Sequence, residues 1–202
     1  YLFFEASLVP MFFLIGIWHK RIYESPHDRS KPYIFVSNHI SYIDAAIIPK
    51  AIRQPVRPLG KAEMNKVPVF GFIYRNAIVT VDRSSPVNRA ASVRVLKSVI
   101  SKGISVFVFP EGTFNMGNAP LKSFYDGAFR IAIETGTPLK PVLFLDAYRR
   151  MPYEGLFRMS PGISRILYLD EVPVSGYNTS DAGLLRDKVF ALQPEHVHRE
   201  LA

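Results

Sequence analysis

An α/β fold built on a mostly parallel central sheet is the fold class this chain predicts, and three observations carry it. Short apolar runs rich in aromatic and β-branched residues recur along the 202 residues. They scarcely alternate with polar residues, as expected of strands buried on both faces. Segments of helical period separate them, the arrangement of a parallel sheet flanked by helices. Finally, the polar blocks able to carry chemistry follow directly after such runs, at the carboxyl ends of strands, where ligands gather in these sheets.

The first element is the lead-in YLFFEASLVPMFFLIGIW, with one charge, Glu5, and one proline, Pro10, in 18 residues. About 20 apolar residues are needed to cross a bilayer, and Glu5 would be costly within hydrocarbon. The run is expected to be an apolar helix over residues 1–20 that docks on a membrane. Trp18 would then sit at the interface, with Lys20 and Arg21 among the headgroups. A buried core helix and a full span are the alternatives. No basic segment precedes the run and no small-residue cleavage site follows it, so it is a poor signal peptide. A chain opening on Tyr1 rather than Met is expected of a piece of a longer protein. Residues 21–202 are expected to form a single domain, long enough to bury a core.

Within that domain, Tyr33 to Ser37 reads as a buried strand. Ala45 to Ile52 reads as a helix interrupted by Pro49, and Val56 to Gly60 as a short strand. Met64 to Arg75 is expected to be helical despite Pro68 and Gly71, and Ala77 to Val81 extended. Ser84-Ser85-Pro86 supplies a cap and a first-turn proline. Ala91, Val95 and Val99 then recur at helical spacing until Gly103. Ile104 to Phe109 is a strand, Gly127 to Glu134 a helix stopped by Gly136, and Leu139 to Leu145 and Ile166 to Leu169 are strands. A helix from Ser180 to Leu192, ending before Pro194, closes the chain.

Lysine and arginine total 25 against 17 acids, a formal charge of +8. That balance suits an anionic partner such as an acidic membrane surface or a phosphorylated substrate. The cations are scattered and not interleaved with aromatics, so nucleic acid is not expected as a partner. The chain has no cysteine, which removes a disulfide framework, a thiolate nucleophile and a cysteine-ligated metal. There is no G-x-S-x-G elbow and no G-x-G-x-x-G. Gly112 and Gly117 have P-loop spacing, but Asn118 and Ala119 stand where Lys and Ser or Thr are required. His196 and His198 point to different faces of a helix and no third ligand is evident, so no metal is expected.

The stretch NHISYID, Asn38 to Asp44, follows the strand ending at Ser37. Five residues along one continuous helix would leave His39 and Asp44 about 140° apart. They meet if His39 sits on the strand-to-helix turn and Asp44 one turn into the helix, with Asn38 or Ser41 as the cap. The aspartate could then accept the imidazole Nδ1–H and leave Nε2 free to take a proton. A structural hydrogen bond across a turn is the plainer alternative. A second block, Phe109-Pro110-Glu111-Gly112-Thr113, also follows a strand and offers a carboxylate, backbone N–H groups and a hydroxyl.

These blocks stand in a definite order: H-x4-D, Val81-Asp82-Arg83, FPEGT, and Pro138-Leu139-Lys140-Pro141-Val142. Together, from about Ile34 to Leu145, they resemble the glycerolipid (PlsC-like) acyltransferase family. The resemblance implies transfer of an acyl group from a thioester to a lysolipid hydroxyl, first of all lysophosphatidate. A lyso-aminolipid acceptor, or an inactive lipid-binding module, is the alternative. It implies His39 as general base, Asp44 as the residue orienting it, and Arg83 near the acceptor's phosphate. Glu111, Gly112 and Thr113 match the acceptor-binding block, and Asn38, Ser41 and Lys140 are added as candidate substrate-binding residues. No bound cofactor is expected; acyl-CoA or acyl-carrier-protein would be the donor. The partners expected are a lysolipid, the donor and a membrane surface, and the implied location is the cytoplasmic face of a bacterial inner membrane.

A positioned base contributes about 10²- to 10⁴-fold, and direct transfer needs no acyl-enzyme, so Ser41 is read as a cap and not a nucleophile. Backbone N–H groups near Gly112 or Asn38 are the candidate oxyanion donors. The match thins at two places. Phe114 stands where family members often carry an arginine, and Tyr125-Asp126 where they often carry a basic pair. Lys122 and Lys140 are the cations left to compensate.

Overall fold

The structure, a computed structural model, describes residues 12, 14–61, 78–81, 86–117, 119, 121–155 and 158–201. The strands are β1 (Ile17–Tyr23), β2 (Ile34–Ser37), β3 (Val56–Lys61), β4 (Val79–Val81), β5 (Ser105–Val108), β6 (Leu139–Phe144) and β7 (Gly162–Tyr168). The helices are α1 (Ile43–Ala51), α2 (Pro86–Ser101), α3 (Gly127–Thr135), α4 (Ala147–Arg150) and α5 (Ala182–Leu201). The strands form one seven-stranded sheet in the order β1-β7-β6-β2-β5-β3-β4. Every pairing is parallel except β6 with β7.

Alternate residues of the central strands serve two separate cores, which is why these runs are apolar throughout. Ile34 and Val36 of β2 face one layer with Val106, Val108, Leu96, Phe129 and Leu185. Phe35 faces the other with Phe107, Phe144, Ile43, Ile47 and Tyr168. The sheet is thereby sandwiched, with α2, α3 and α5 against one face and α1 and α4 against the other. Burying a side chain of this size contributes about 1.5–3 kcal/mol. Gly136 ends α3 at φ 63°, the left-handed conformation that suits glycine.

Several expectations need correction. The apolar lead-in does not continue as a helix to residue 20. Phe12, Leu14 and Ile15 are helical, but Ile17 to Tyr23 is an edge strand that pairs parallel with β7 over seven residues. Ile, Trp and Tyr favour extended backbone, and Lys20 and Arg21 suit a sheet edge that must not pair further. Residues 1–11 and 13, which carry most of the expected docking helix, lie outside the described residues. Among the described residues no helix is long and apolar enough to cross a membrane. The strand expected at Ile166 begins earlier, at Gly162, and it runs antiparallel to β6. The closing helix passes through Pro194 to Leu201. The helix expected over Met64 to Arg75 lies outside the described residues.

Arg21 does not point to headgroups. Its guanidinium donates to the carbonyls of Lys50, at 2.7 and 3.0 Å, and Ala51, at 3.2 Å. Tyr168 Oη adds a bond to the Ala51 carbonyl at 2.6 Å. These are carbonyls at the end of α1, which lack helical partners, so strands β1 and β7 hold the helix that carries Asp44. Trp18, by contrast, is 59% exposed beside its register partner Ile163 at 54%.

Replacing Arg21 with Met keeps the aliphatic stem and removes these donors. The expected loss is about 1–3 kcal/mol, from hydrogen bonds to a charged group. That lowers the melting midpoint by roughly 2–10 °C for a domain of this size. Thermal unfolding followed by circular dichroism checks it; an unchanged midpoint would mean that Arg21 does not support α1.

Candidate active site

The turn after β2 brings three successive backbone N–H groups to a place with no neighbouring strand to accept them. Two carboxylates do so instead. Glu111 Oε1 accepts the N–H of His39 at 2.9 Å. Asp44 Oδ2 accepts the N–H groups of Ile40 at 2.7 Å and Ser41 at 2.8 Å. The same Oδ2 lies 2.9 Å from His39 Nδ1. Asp44 stands in the first turn of α1 and is fully buried, and its Oδ1 has no protein partner. With Nδ1–H donated to the carboxylate, Nε2 is the basic nitrogen.

The imidazole is also held by its faces. Phe109 stacks on it with centroids 4.0 Å apart and planes 13° apart. Phe114 lies 4.3 Å from it at a tilt of 57°, and in turn meets Tyr42 edge-on at 4.6 Å. The His39 side chain keeps 19% of its surface exposed, so it remains reachable. The FPEGT block contributes to this site through Phe109 as well as its acid. That stacking had no sequence signal beyond an aromatic at a strand end. Phe114 was noted only for the arginine it replaces.

The expected residues do different work. Asn38 is buried, and its amide exchanges two bonds with the backbone of Phe144: Oδ1 accepts at 2.9 Å and Nδ2 donates at 3.1 Å. It therefore continues the β2–β6 ladder past Ser37, and its side chain is not free for substrate. Ser41 Oγ donates to the Met151 carbonyl and accepts the Ile43 N–H at 3.2 Å. Tyr42, not Ser41, holds the cap position, but Ser41 bonds the first N–H of α1, and a hydroxyl so engaged is not free as a nucleophile. Glu111 is fully buried, and its Oε2 accepts the Lys122 N–H at 3.1 Å. Gly112 turns the chain at φ 72°, and its N–H donates to the Phe109 carbonyl at 3.1 Å. Asn115 closes the corner by donating its N–H to the His39 carbonyl at 2.8 Å.

Burial pushes the Glu111 carboxyl up to about 7, against the downward pull of the two N–H donors, with the nearby Asp44 charge adding to the rise. Lys140 is not brought to this corner. It pairs with Phe35, four residues before His39, is almost wholly buried, and reaches Ser25 Oγ at 3.5 Å. Burial lowers its pKa. Arg83 lies outside the described residues. Among the described residues no cluster of three His, Asp or Glu is placed to hold a metal.

A family model described as Acyltransferase matches residues 20–145. The 1-acyl-sn-glycerol-3-phosphate acyltransferase of Salmonella typhimurium is 28% identical over 180 residues, which span 83% of this chain and 71% of that protein. The chloroplastic enzyme BAT2 of Brassica napus, of the same name, is 30% identical over 158 residues, 78% of this chain and 44% of that one. The human alpha enzyme is 28% identical over 163 residues, 79% and 56%. In three dimensions the chain is similar throughout to the 1-acyl-sn-glycerophosphate acyltransferase PlsC of Thermotoga maritima. The TM-score is 0.77 over 79% of that chain at 23% identity, a likeness of fold.

The Glu111 clamp is testable apart from any activity. A carboxyl raised from 4.5 to about 7 binds its proton more tightly in the folded chain. Its contribution to stability therefore improves as pH falls from about 7 towards 4.5 and is least favourable above 7. Glu111→Gln has no such titration. Melting curves from pH 8 to 5 are expected to show the wild type gaining on the variant as pH falls. A constant difference would show that this carboxyl titrates normally.

Proposed function

The chain belongs to the acyltransferase family, and from that premise we propose that it moves a fatty acyl group from an acyl thioester to the free hydroxyl of lysophosphatidate, giving phosphatidate. The relatives named for that substrate support the reading. The observation that carries it is the His39–Asp44 pair, joined at 2.9 Å at the end of β2 with Nε2 left to act. A lipid hydroxyl is a poor nucleophile near neutral pH. Nε2 takes its proton as the oxygen attacks the thioester carbonyl carbon. The C–S bond then breaks, and the departing sulfur takes the proton from the imidazolium. An ester and a free thiol result, with no acyl-enzyme.

Asp44 stabilises the imidazolium while it exists, and Phe109 keeps the ring in one plane. The carbonyl oxygen needs donors as charge develops on it. The N–H groups of His39, Ile40, Ser41 and Gly112 are already taken. Those of Thr113 and Phe114 have no protein acceptor among the described residues, and we assign them this role. For the acyl chain, a groove of about 730 Å³ lies on the α2–α3 side of the sheet and reaches Phe109 and Pro110. Its walls include Leu59, Val93, Leu96 and Ile131.

A lipid acceptor puts the reaction at a bilayer surface. The exposed Trp18–Ile163 pair and the net charge of +8 suit an anionic one, and cytosolic thioester donors suit the cytoplasmic face. Acyl-CoA and acyl-carrier-protein both fit as donor.

The test supplies lysophosphatidate with each donor, follows thiol release and identifies the product by mass spectrometry. Phosphatidate is expected from the wild type. His39→Ala is expected to lose about 10²- to 10⁴-fold in kcat with an unchanged circular dichroism spectrum. A folded variant within about threefold of wild type would remove the base assignment, and a wild type that makes no phosphatidate would remove the reaction.

A further inference from the structure

The two strands that hold α1 carry a second polar cluster, which the acyl-transfer steps leave unused. His19 of β1 and Ser164 of β7 are register partners. Ile17 and Ile166, two residues away on the same strands, belong to the core on the α1–α4 face, so both side chains point into that face. Among the described residues neither ring nitrogen of His19 has a hydrogen-bond partner, and neither does Ser164 Oγ. Arg150, the last residue of α4, lies over Gly162, where any side chain would meet its guanidinium. Gly162 stands two residues before Ser164 on the same face, and Arg150 Nε is the fourth buried atom without a partner. Native interiors rarely bury polar atoms unpaired, and a group of them at one place points to a ligand.

The charges here have one sign. Arg21, two residues beyond His19 on the same face, is held at the α1 carbonyls, and Lys50 stands in the last turn of that helix. Burial, then Lys50 and Arg21, hold the His19 pKa down at about 4. Asp146, which also feels Arg150, has both oxygens taken by Arg165. Ser164 is fully buried, while His19, Arg150 and Gly162 are partly exposed.

We propose that His19, Ser164 and Arg150 form a phosphate-binding site, closed here by Phe12, that takes the phosphate of a phospholipid headgroup or free phosphate. A phosphate accepts from imidazolium, hydroxyl and guanidinium donors together. β7 and β1 lie two and three strands from β2, which leads to His39, about 10–14 Å at the usual strand spacing. The site is therefore separate from the catalytic corner, and it does not rest on which lipid is acylated. The Phe12 ring packs edge-on against His19, centroids 4.7 Å apart. Gly16, at the left-handed φ of 73°, joins that turn to β1 and is the hinge on which the ring swings aside. On the outward face of the same two strands Trp18 and Ile163 are exposed, which brings phospholipid headgroups to this edge.

Ser164→Ala tests the site without changing its charge. A buried hydroxyl without a partner costs stability, so in phosphate-free buffer the variant is expected to melt at or above the wild-type midpoint. Inorganic phosphate is expected to raise the wild-type midpoint and, followed by NMR, to move the His19 titration upward from about 4. Ser164→Ala is expected to bind about 10- to 100-fold more weakly, the change that follows loss of a hydrogen bond to a charged group. Sedimentation with phosphatidylglycerol vesicles separates the sources. If phosphate alone gives no response but vesicle binding depends on Ser164, the site stands and takes headgroups only. Diffuse attraction of a chain of charge +8 to an anionic vesicle does not depend on an uncharged hydroxyl. Equal vesicle binding by both proteins with no response to phosphate therefore overturns the proposal, as does a phosphate response that is the same in both. Phe12→Ala is expected to tighten phosphate binding; an unchanged or weaker affinity in the folded variant removes Phe12 as the cover.

Discussion

Two buried carboxylates decide the shape of this site. The turn leaving β2 exposes consecutive N–H groups that have no strand to pair with, and such groups must find partners when buried. Glu111 takes the first and Asp44 the next two. Because the same Asp44 oxygen also receives His39 Nδ1, backbone and side chain of the histidine are fixed by one geometry. The turn could not shift without breaking bonds to two buried carboxyl groups, each bond worth about 1–3 kcal/mol. Orientation of the imidazole is thus a consequence of satisfying the backbone, and does not depend on a lone side-chain contact.

The rest of the fold supports that corner from below. β2 lies in the middle of the sheet between β6 and β5, so the turn it feeds is anchored on both sides. Asn38 extends the contact with β6 one residue beyond the backbone ladder. On the far side, Arg21 and Tyr168 grip the last carbonyls of α1. The helix bearing Asp44 is therefore held at both ends: by Ser41 and Asp44 at its start, and by strands β1 and β7 at its finish. The antiparallel β7, which breaks the parallel pattern, belongs to this support and not to the chemistry.

Much of this was legible in the sequence where a rule has a short range. The strand-turn-helix placement of His39 and Asp44 follows from the apolar run before them and the helical segment after, and they meet as that placement requires. β2, β5, β6 and α3 were plain because both faces of the strands are apolar and Gly136 is a stop signal. Ile17 to Tyr23 was not legible, since an apolar run preceding it extends a helical reading and only pairing with β7, some 145 residues away, makes it a strand. The same holds for Lys140: nothing local says that a lysine at a strand start is buried under the opposite end of the sheet from His39. Likewise Glu111 reads as a carboxylate that a turn offers to a ligand. Its backbone acceptor role appears only when residues 39 and 122 come together.

Phe114 then acquires an electrostatic meaning. A protonated His39 would be stabilised on its edge by Asp44 and on its faces by aromatic rings, which attract cations. A cation held about 5 Å from that charge, at an effective dielectric constant near 20, would oppose protonation by roughly 3 kcal/mol, less where solvent screens it. An aromatic at this position removes that opposition and sheds water from the ring. Lys122 stays clear of that contact: its backbone is tied to the site through Glu111, while its charge projects outward to Thr113.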